Sequence, residues 1–480
     1  METVRLPPTY DRSALRPRIL HLGFGAFARA HPLVYLDGAI GVGGVAQDWG
    51  VVAVRLNSGV GDLTALDAAD GLYTVLEADG DSVTARQIGA VVATCHPARD
   101  GHDALLALFA LPSMSIVSLT ITEKGYCLSG TSLDRNHPAI RADLADPGAP
   151  RTAIGVIVEG LSRRRAAGLG GLTVLSCDNL PENGRLARAA VLQFARARDA
   201  DLAIWIEAHV TFPATMVDRI VPALDAEGRE LITRMTGEPD PNGIVCEPFR
   251  QWVIEDDFAA GRPAWEKAGA QLVSDVRPYE EMKLRMLNGA HTFLATLGAL
   301  AGHAKIADCM GDPVFRRAAR QLMLSEQAPT LAQLPGVDLP TYADALLARF
   351  SNSRLNHRTT QIATDTSAKL PQRILAPARV HLDAGKGWPL LSLCIAGWMA
   401  YVREAAVDAT ALPLSDPLAE RLRDIATTKD ADIYLRRMLA LREVFPEDLA
   451  KRGPFCDAVG GAYARITAVG ARAAVQERLR

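Results

Sequence analysis

Gly23-Phe24-Gly25-Ala26-Phe27-Ala28 is the stretch of sequence that decides the fold. It follows a short apolar segment, residues 18–22, that predicts a strand, and it precedes residues 29–36, which predict a helix. In a dinucleotide-binding unit the first glycine allows a tight turn, the second lets the backbone approach a pyrophosphate, and a small third residue lets helix and strand pack closely. The phosphates then lie on N–H groups at the positive end of the helix. The stretch therefore predicts cofactor contacts at Gly23, Phe24, Gly25, Ala26 and Phe27, although an ordinary strand-to-helix turn has the same appearance.

The pattern of the remaining chain predicts two domains, since 480 residues are too many for one ordinary core. Apolar runs without polar alternation predict further buried strands at residues 49–56, 115–121 and 172–177, and helical periodicity predicts helices at residues 154–167 and 186–198. This alternation is typical of a doubly wound parallel sheet. Beyond residue 275 the strand signals fade and helical segments follow, at residues 282–300, 313–326, 341–350, 390–406, 416–426 and 431–444. We expect an α/β protein, with a Rossmann-type NAD-binding domain over residues 1–275 and a mainly α-helical substrate-binding and catalytic domain over residues 276–480.

Composition and charge exclude several classes of protein. Hydrophobic residues make up 49% of the chain and charged residues 22%, with a formal net charge of -3, which is typical of a globular protein and gives no basis for a nucleic-acid or membrane partner. Residues 1–12 lack the apolar core of a signal peptide, and the apolar run at residues 390–402 is too short to span a bilayer. Seven scattered cysteines without a CxxC pair argue against a disulfide framework and a thiolate zinc site. We expect a cytoplasmic protein with free, mostly buried thiols and no metal.

The end of the second predicted strand bears on the choice of cofactor. It reads Arg55-Leu56-Asn57-Ser58 at the place where an Asp or Glu usually binds the ribose. Asn57 can still hydrogen-bond a ribose hydroxyl, whereas Arg55 favours the 2′-phosphate of NADP. We expect NAD as the cofactor, and these residues leave NADP open.

Lys283, Asn288 and His291 are the candidate catalytic residues, because they fall within one predicted helix. At about 100° per residue, Asn288 lies about 140° and His291 about 80° round the helix from Lys283, so the three can line one side. Oxidation of a secondary alcohol needs a base for the hydroxyl proton, and a lysine serves when desolvation and nearby positive charge lower its pKa. An uncharged amide suits a developing alkoxide. The alternative is a solvated lysine, a capping asparagine and a packed histidine.

A second polar cluster, residues 176–184, directly follows a predicted strand. Ligands bind beyond the carboxyl ends of parallel strands in this architecture, so Asn179 is a candidate for a second amide donor. The alternative is a helix N-cap and turn, for which Asp178, Asn179 and Asn183 are all suitable.

Taken together, these stretches resemble the mannitol dehydrogenase family of polyol-specific long-chain dehydrogenases. The similarity runs over nearly the whole chain and includes residues 23–31, 120–127, 176–179, 212–213, 216–220 and 246–249 and the segment that carries Lys283, Asn288 and His291. It implies a metal-independent NAD-dependent dehydrogenase that acts on CH–OH groups in carbohydrate metabolism, in most members as a monomer, with a homo-oligomer as the alternative. It also implies the following roles: Lys283 as general acid/base, Asn179 and Asn288 as the oxyanion pocket, His291 as the residue that positions substrate and lysine, Asp218 and Lys369 as contacts to substrate hydroxyls, and Glu280 as part of a proton route to Lys283.

Within that family the chain is most similar to the fructuronate reductase branch, which interconverts D-fructuronate and D-mannonate. The stretches that indicate this are residues 123–126, 357–363, where Gln361 replaces an arginine of mannitol-type members, and 369–373. A uronate carboxylate needs cationic partners, and we hypothesise that Lys124, Arg358 or Lys369 supplies the charge. The alternative for Lys124 and Arg358 is a surface or inter-domain ion pair.

The substrate is left open by two departures from the usual pattern, Thr360 in place of a bulky aromatic residue and Thr366 in place of glycine. The main rival function is a mannitol 2-dehydrogenase or a related dehydrogenase of arabinitol or sorbitol. A rival of another class is a non-catalytic NAD-binding regulatory protein.

Overall fold

The computed structural model describes residues 5–42, 48–80, 82–355 and 357–479. The chain divides into two compact units, Met1–Arg277 and Pro278–Arg480. Unit 1 contains both strands and helices, whereas the described part of unit 2 is helical apart from an isolated bridge between Lys305 and Arg358.

The described strands, all in unit 1, are β1 (Arg5–Leu6), β2 (Arg16–Leu22), β3 (Trp49–Val54), β4 (Tyr73–Asp79), β5 (Ser82–Ile88), β6 (Val91–Cys95), β7 (Ile116–Leu119), β8 (Leu128–Ser129), β9 (Ser132–Leu133), β10 (Thr173–Ser176), β11 (Thr215–Asp218), β12 (Ile244–Cys246), β13 (Gln251–Glu255) and β14 (Gln271–Val273). The helices of unit 1 are α1 (Ala26–Ala30), α2 (Pro32–Gly41), α3 (Val60–Ala68), α4 (Pro97–Asp100), α5 (His102–Ala107), α6 (Thr122–Gly125), α7 (Pro138–Ala145), α8 (Ala153–Ala166), α9 (Asn183–Arg198), α10 (Ala200–His209) and α11 (Ala226–Thr236).

The helices of the second half are α12 (Arg277–Met282), α13 (Gly289–Leu300), α14 (Ile306–Gly311), α15 (Pro313–Gln321), α16 (Leu339–Ser351), α17 (Thr359–Ile362), α18 (Thr366–Leu370), α19 (Ala376–Asp383), α20 (Pro389–Val407), α21 (Ala419–Ala426), α22 (Ala431–Leu439), α23 (Glu447–Ala450), α24 (Gly453–Val469) and α25 (Ala471–Gln476). Short 3₁₀ turns lie at Arg12–Ala14, Leu108–Ala110, Trp265–Ala268, Ala328–Thr330 and Ser353–Leu355, and π-helical turns lie at Lys283–Asn288, Leu322–Gln327 and Pro371–Leu375.

The main sheet of unit 1 has five strands in the order β10-β7-β2-β3-β6, and every pair in it is parallel. The chain builds β2, β3 and β6 in one direction and then returns to the other side of β2 for β7 and β10. The order therefore reverses between β2 and β7, and the crevice beyond the carboxyl ends of these two strands is the usual ligand site in such sheets. The doubly wound parallel sheet predicted from the sequence is confirmed.

The strands of this sheet are mostly apolar because both of its faces are covered. Leu20, Val52 and Val117 belong to one core cluster with residues of α8 and α9. Their neighbours Ile19 and Val51 belong to a second cluster, which includes residues of α2. Successive side chains of a strand point to opposite faces, so a sheet buried on both sides shows no polar alternation.

Smaller sheets complete unit 1. One has the order β1-β5-β4-β12 and another the order β11-β13-β14, while β8 and β9 form a hairpin. In the β11–β13 pair, Asp218 at the end of β11 lies opposite Gln251.

Unit 2 contains two long apolar helices in its core. Residues Gly289 to Gly298 of α13 are all buried. Helix α20 is long and apolar enough, by length and composition, to cross a membrane, but residues 390–402 are buried within the protein. A helix that is apolar on all sides suits the centre of a large helical domain.

Several predicted boundaries were wrong for identifiable reasons. The helix predicted at residues 29–36 is broken at His31, because Pro32 disfavours helical geometry in the residue before it. The strand predicted at residues 49–56 ends at Val54. The helices predicted at residues 282–300 and 313–326 are interrupted by π-helical turns, and those predicted at 416–426 and 431–444 are shorter, as α21 and α22.

The cysteines follow the expectation of free, mostly buried thiols. Six of the seven are buried, and the seventh, Cys456, is partly exposed. Burial raises the pKa of the Cys177 and Cys309 thiols, which makes both poor nucleophiles.

Candidate active site

The turn between β2 and α1 is fixed by a close approach of two backbone segments. Gly23 has φ +89°, and a Cβ at this position would lie 2.3 Å from the carbonyl oxygen of Thr120. The N–H groups of Gly23 and Phe24 both donate to the carbonyl of Val54, at 3.0 and 2.9 Å. Only glycine satisfies this geometry without strain, which is the role expected of the first glycine in a dinucleotide-binding turn.

A buried histidine supports the same turn. His21 hydrogen-bonds the hydroxyls of Ser118, at 2.7 Å, and Thr120, at 2.9 Å, and the Thr120 hydroxyl donates to the carbonyl of Gly23 at 2.8 Å. Burial lowers the pKa of His21 to about 3, so the ring is neutral at physiological pH. The network joins the ends of β2 and β7 at the crevice of the sheet.

A cavity of about 550 Å³ lies beyond these strand ends. Among the predicted cofactor residues, Gly23, Gly25 and Asn57 line it. At Gly25 an added Cβ would meet no atom closer than 3.6 Å, so the second glycine leaves open space above the turn. An open turn at the crevice and an exposed Asn57 amide fit a dinucleotide.

The other predicted cofactor residues contribute to the shape of the turn. The Phe24 side chain is buried in a core cluster that also contains Ala28, the small third residue of the glycine pattern, and Ala26 packs against that cluster. Phe27 stacks on His31 with ring centroids 4.9 Å apart. None of these side chains is among the residues that line the cavity within the described part of the chain.

Arg55 also lines the cavity. The sequence left it open as a partner for the 2′-phosphate of NADP. Its guanidinium forms an ion pair with Asp62 at the start of α3. An acidic partner neutralises the guanidinium, which favours NAD over a cofactor with an additional phosphate.

Asp178 is the organising group at the end of β10. Its buried carboxylate accepts hydrogen bonds from the backbone N–H groups of Ile121, at 3.1 Å, and Thr122, at 2.8 Å, and from the hydroxyl of Tyr126 at 2.7 Å. Thr122 has φ +63°, a conformation that costs energy in a β-branched residue. Burial raises the pKa of Asp178, and the three hydrogen bonds oppose that shift. The carboxylate therefore holds the loop after β7, which lines the cavity, in a strained shape.

Asn183 has a different structural role from the one considered in the helix-cap interpretation. It is fully buried, donates to the carbonyls of Asp178 and Thr215 at 2.9 Å each, and accepts from the N–H of Thr215. Helix α9 has Glu182 as its N-cap, without a side-chain capping bond. The interpretation of Asp178 and Asn183 as cap residues was wrong, because both side chains join strand ends instead. Asn179, between them, is exposed at the carboxyl end of β10.

The remaining predicted residues of unit 1 lie near other strand ends. Asp218, the last residue of β11, is 6% exposed. Its neighbour Arg219 is buried and donates to the carbonyls of Ala30 and Glu247, at 2.6 and 2.9 Å, which fixes the chain around Asp218. Lys124, on the one-turn helix α6, is exposed and lines the cavity.

In unit 2 the catalytic candidates lie on a π-helical turn rather than on a regular α-helix. The turn spans Lys283–Asn288, and the N–H of Gly289 reaches the carbonyl of Leu284, five residues earlier. The rotation of 140° expected between Lys283 and Asn288 was therefore wrong, because a turn with hydrogen bonds from i to i+5 rotates less per residue than the 100° of a regular α-helix. Lys283 and Asn288 share a face more closely than the sequence indicated, and π-helical turns occur often at functional sites.

Lys283 and His291 are both buried, at 8% and 9% exposure. The His291 ring lies 4.4 Å from the Phe350 ring and 5.8 Å from His357, between centroids. Burial and the nearby Arg349 lower the pKa of His357. His291 thus lies in an aromatic cluster that restricts its ring. Glu280 is half-buried on α12, one turn before Lys283.

Two further π-helical turns, Leu322–Gln327 and Pro371–Leu375, pack against the turn that carries Lys283. Gly289 makes this packing possible, since a Cβ there would lie 2.2 Å from Nε2 of Gln327 and 3.1 Å from the carbonyl oxygen of Arg373. The segment that carries the candidate residues Lys283 and Asn288 is therefore packed against neighbours distant in sequence.

The predicted carboxylate-binding residues of unit 2 differ in their surroundings. The Lys369 ammonium donates to the carbonyls of Ile362, at 3.2 Å, and Thr364, at 2.5 Å, and burial together with Arg373 lowers its pKa. Arg358 is exposed beside Lys305.

The two departures from the family pattern also lie in this region. Thr366 is buried, and its hydroxyl donates to the carbonyl of Ala363 at 2.7 Å. Thr360 is half-buried on α17. Nothing in these contacts selects one substrate.

Comparisons with known proteins agree with this architecture. Residues 17–267 match the mannitol dehydrogenase Rossmann domain, and residues 275–467 match the mannitol dehydrogenase C-terminal domain. The chain is 50% identical to the uncharacterized oxidoreductase YdfI of Escherichia coli (strain K12), over 98% of this chain and 96% of that protein. It is 48% identical to the D-mannonate oxidoreductase of the same strain, over 98% and 97%. The mannitol 2-dehydrogenase of Pseudomonas fluorescens, solved as a ternary complex with NAD and D-mannitol, aligns with a TM-score of 0.80 at 36% identity, over 98% and 96%.

The parallel sheet with its open glycine turn and the helical second unit define a dehydrogenase built on a Rossmann domain. The chain belongs to the mannitol dehydrogenase family. It is an NAD-dependent oxidoreductase, which sets aside the non-catalytic alternative.

Sequence reasoning misinterpreted Asp178 and did not single out Arg373, whose turn packs against the turn that carries Lys283. Asp178 was predicted only as a possible helix cap. Arg373 stood at the end of residues 369–373, yet it was not among the proposed carboxylate partners. The signal for Arg373 was weak, since nothing in the sequence shows whether an arginine has an acidic neighbour.

Proposed function

We propose that this protein interconverts D-fructuronate and D-mannonate with NAD. The observation that carries the choice of substrate is the 48% identity to a D-mannonate oxidoreductase over 98% of the chain, against 36% to the mannitol 2-dehydrogenase. Gln361, which replaces an arginine of mannitol-type members, supports the same choice. A sugar acid is then the small-molecule partner.

In this proposal Lys283 is the general acid/base. It takes the proton of the secondary hydroxyl during oxidation and returns a proton to the oxygen during reduction. When held at the cavity lined by Gly23, Gly25 and Asn57, the cofactor would supply the hydride acceptor as NAD and the hydride donor as NADH. The burial of Lys283 keeps competing water away from its amine, and Glu280, three residues earlier, passes protons between Lys283 and solvent.

The other polar residues orient the substrate and stabilise charge. The amides of Asn288 and Asn179 donate hydrogen bonds to the oxygen as negative charge develops on it. His291, whose ring is restricted by Phe350, orients the substrate and the lysine. Asp218 and Lys369 bind substrate hydroxyls. Each role calls for a side chain whose position is fixed before the reaction, which is consistent with the burial of Lys283 and His291.

A polyol dehydrogenase that acts on mannitol, arabinitol or sorbitol is the second candidate. It is favoured by the TM-score of 0.80 to a mannitol 2-dehydrogenase in complex with D-mannitol. The two functions differ at one end of the substrate, which is a carboxylate in mannonate and a neutral hydroxymethyl group in mannitol.

Initial rates of NADH formation on D-mannonate and D-mannitol separate the candidates. We expect kcat/KM on D-mannonate to exceed that on D-mannitol by about 10- to 100-fold, since a charge-assisted hydrogen bond contributes about 1.5–3 kcal/mol. A preference for mannitol, arabinitol or sorbitol would refute the uronate assignment. Reduction of D-fructuronate with NADH, followed by loss of absorbance, checks the reverse direction.

The proposal also includes a monomer located in the cytoplasm, as expected from the family resemblance and the sequence. Light scattering after size-exclusion chromatography measures the mass in solution. A mass of about twice the 51.4 kDa of the chain would contradict the monomer.

A further inference from the structure

Arg373 lies on the π-helical turn Pro371–Leu375, which packs against the turn that carries Lys283 and Asn288. Its Nη1 donates to the hydroxyl of Thr292 at 3.3 Å. The Thr292 hydroxyl in turn donates to the carbonyl of Asn288 at 2.9 Å. The hydroxyl of Thr292 therefore links the Arg373 guanidinium to the backbone of Asn288, a proposed oxyanion donor.

This arginine has no acidic partner in the described part of the chain. Burial lowers its pKa to about 10, and no carboxylate contributes to the shift. Only one of the five N–H donors of its guanidinium has a partner among the described residues, the hydroxyl of Thr292. By contrast, Arg379 on the next helix forms an ion pair with Asp448.

A half-buried guanidinium without a counter-ion is costly, because it loses hydration and gains no opposite charge. Lys369 adds a second positive charge nearby, since the guanidinium contributes to lowering the pKa of the Lys369 ammonium. Asp365 and Asp416 raise the pKa of Lys369, whereas no carboxylate contributes to the shift in the pKa of Arg373. The two neighbouring positive charges of Arg373 and Lys369 therefore favour the binding of an anionic ligand.

We infer that Arg373 binds the carboxylate of the sugar-acid substrate and so determines the preference for an acid over a neutral polyol. The inference rests on the proposed function, and it assigns the cation that the substrate requires to a residue other than Lys124, Arg358 or Lys369. The planar guanidinium matches a carboxylate with two parallel N–H···O bonds. Its link through Thr292 to Asn288 places the bound carboxylate in a fixed relation to the reacting end of the substrate.

The test uses the full-length enzyme, Arg373→Gln and Arg373→Lys, with Arg379→Gln as the matched control, because Arg379 lies on the adjacent helix α19 and is paired with Asp448 on the surface. Steady-state kinetics with NAD give kcat and KM for D-mannonate and for D-mannitol. Quenching of NADH fluorescence gives the affinity of the enzyme–NADH complex for each compound, so that a compound without measurable turnover still yields a value. The melting temperature reports on folding.

We expect Arg373→Gln to raise the KM and the dissociation constant for D-mannonate by about 10- to 100-fold, the loss of a charge-assisted pair, and to leave those for D-mannitol within about twofold. Arg373→Lys should restore part of the affinity, and Arg379→Gln should match the wild type. A purely structural role for Arg373 would instead lower kcat on both compounds and lower the melting temperature. Equal effects on both compounds, or an unchanged KM for D-mannonate, would overturn the inference.

The same measurements separate this inference from the proposed function. The rates of the wild-type enzyme on D-mannonate and D-mannitol decide the function before any variant is made. A wild type that prefers D-mannonate, combined with an unaffected Arg373→Gln variant, would leave the function standing and remove Arg373 as the carboxylate-binding residue.

Discussion

The carboxylate of Asp178 accepts a hydrogen bond from the backbone N–H of Thr122 at 2.8 Å, and so joins the loop after β10 to the loop after β7. Thr122 holds φ +63° there, beside the cavity that fits the cofactor. A strained backbone of this kind persists only where the surroundings fix it. Asp178 is therefore a positioning residue for the cofactor cavity.

Asp178→Asn should weaken both folding and cofactor binding. The amide presents only one acceptor oxygen to three donors, so an N–H of Ile121 or Thr122 loses its partner at a cost of about 1–3 kcal/mol. Urea unfolding followed by fluorescence measures the loss of stability, and NADH titration measures the affinity. Asp201→Asn, at an exposed position on α10, is the control and should match the wild type. Unchanged stability in Asp178→Asn would contradict the role assigned.

The two glycines of the cofactor turn should respond differently to alanine. Gly23→Ala should lose at least about 2 kcal/mol of stability, because a positive φ is unfavourable for alanine and its Cβ would meet the Thr120 carbonyl. Gly25→Ala should fold normally, since its Cβ has 3.6 Å to the nearest atom, yet bind NADH at least about tenfold more weakly, because the methyl group enters the cavity. Melting temperatures and NADH titrations distinguish the two effects. Equal behaviour of the variants would count against this account of the turn.

The lowered pKa of His21 predicts that the free energy of unfolding depends on pH. Its folded pKa of about 3 lies below its ordinary value of 6.5, so the fold favours the neutral ring. The stabilisation is complete above pH 6.5 and is lost as the pH falls from 6.5 towards 3, by about 1.4 kcal/mol per pH unit. His21→Gln lacks this contribution, and the difference in apparent melting temperature between it and the wild type should shrink between pH 7.5 and pH 5. A difference independent of pH would show that His21 does not titrate with unfolding.

Lys283→Ala should nearly abolish turnover while leaving NADH binding intact, because the proposed acid/base is lost and the cofactor cavity of unit 1 is untouched. Asn288→Ala should lower kcat by on the order of 10²-fold or more, as expected when one donor to a developing oxyanion is removed. Lys386→Ala, at an exposed position in unit 2, is the control. Stopped-flow measurement of NADH formation checks all three variants. Turnover near that of the wild type in Lys283→Ala would refute the mechanism.

The sequence by itself was sufficient for the family and for the main features of the fold. Residues 18–28 showed a strand, a glycine turn and the start of a helix, and the uninterrupted apolar strands showed a parallel sheet covered on both faces, because these are properties of local periodicity and of glycine alone. Lys283, Asn288 and His291 were placed in one segment by the same reasoning.

Only the tertiary structure determined the local conformation and the packing partners of these residues. The turn at Lys283–Asn288 is π-helical and packs through Gly289 against Gln327 and the turn of Arg373, whereas six residues of helical pattern do not distinguish hydrogen bonds to i+4 from hydrogen bonds to i+5. The same reason applies to Asp178, which holds a loop more than 50 residues earlier in the chain, and to Arg373, which has no acidic partner among the described residues. Partners distant in sequence become neighbours only when the chain has packed.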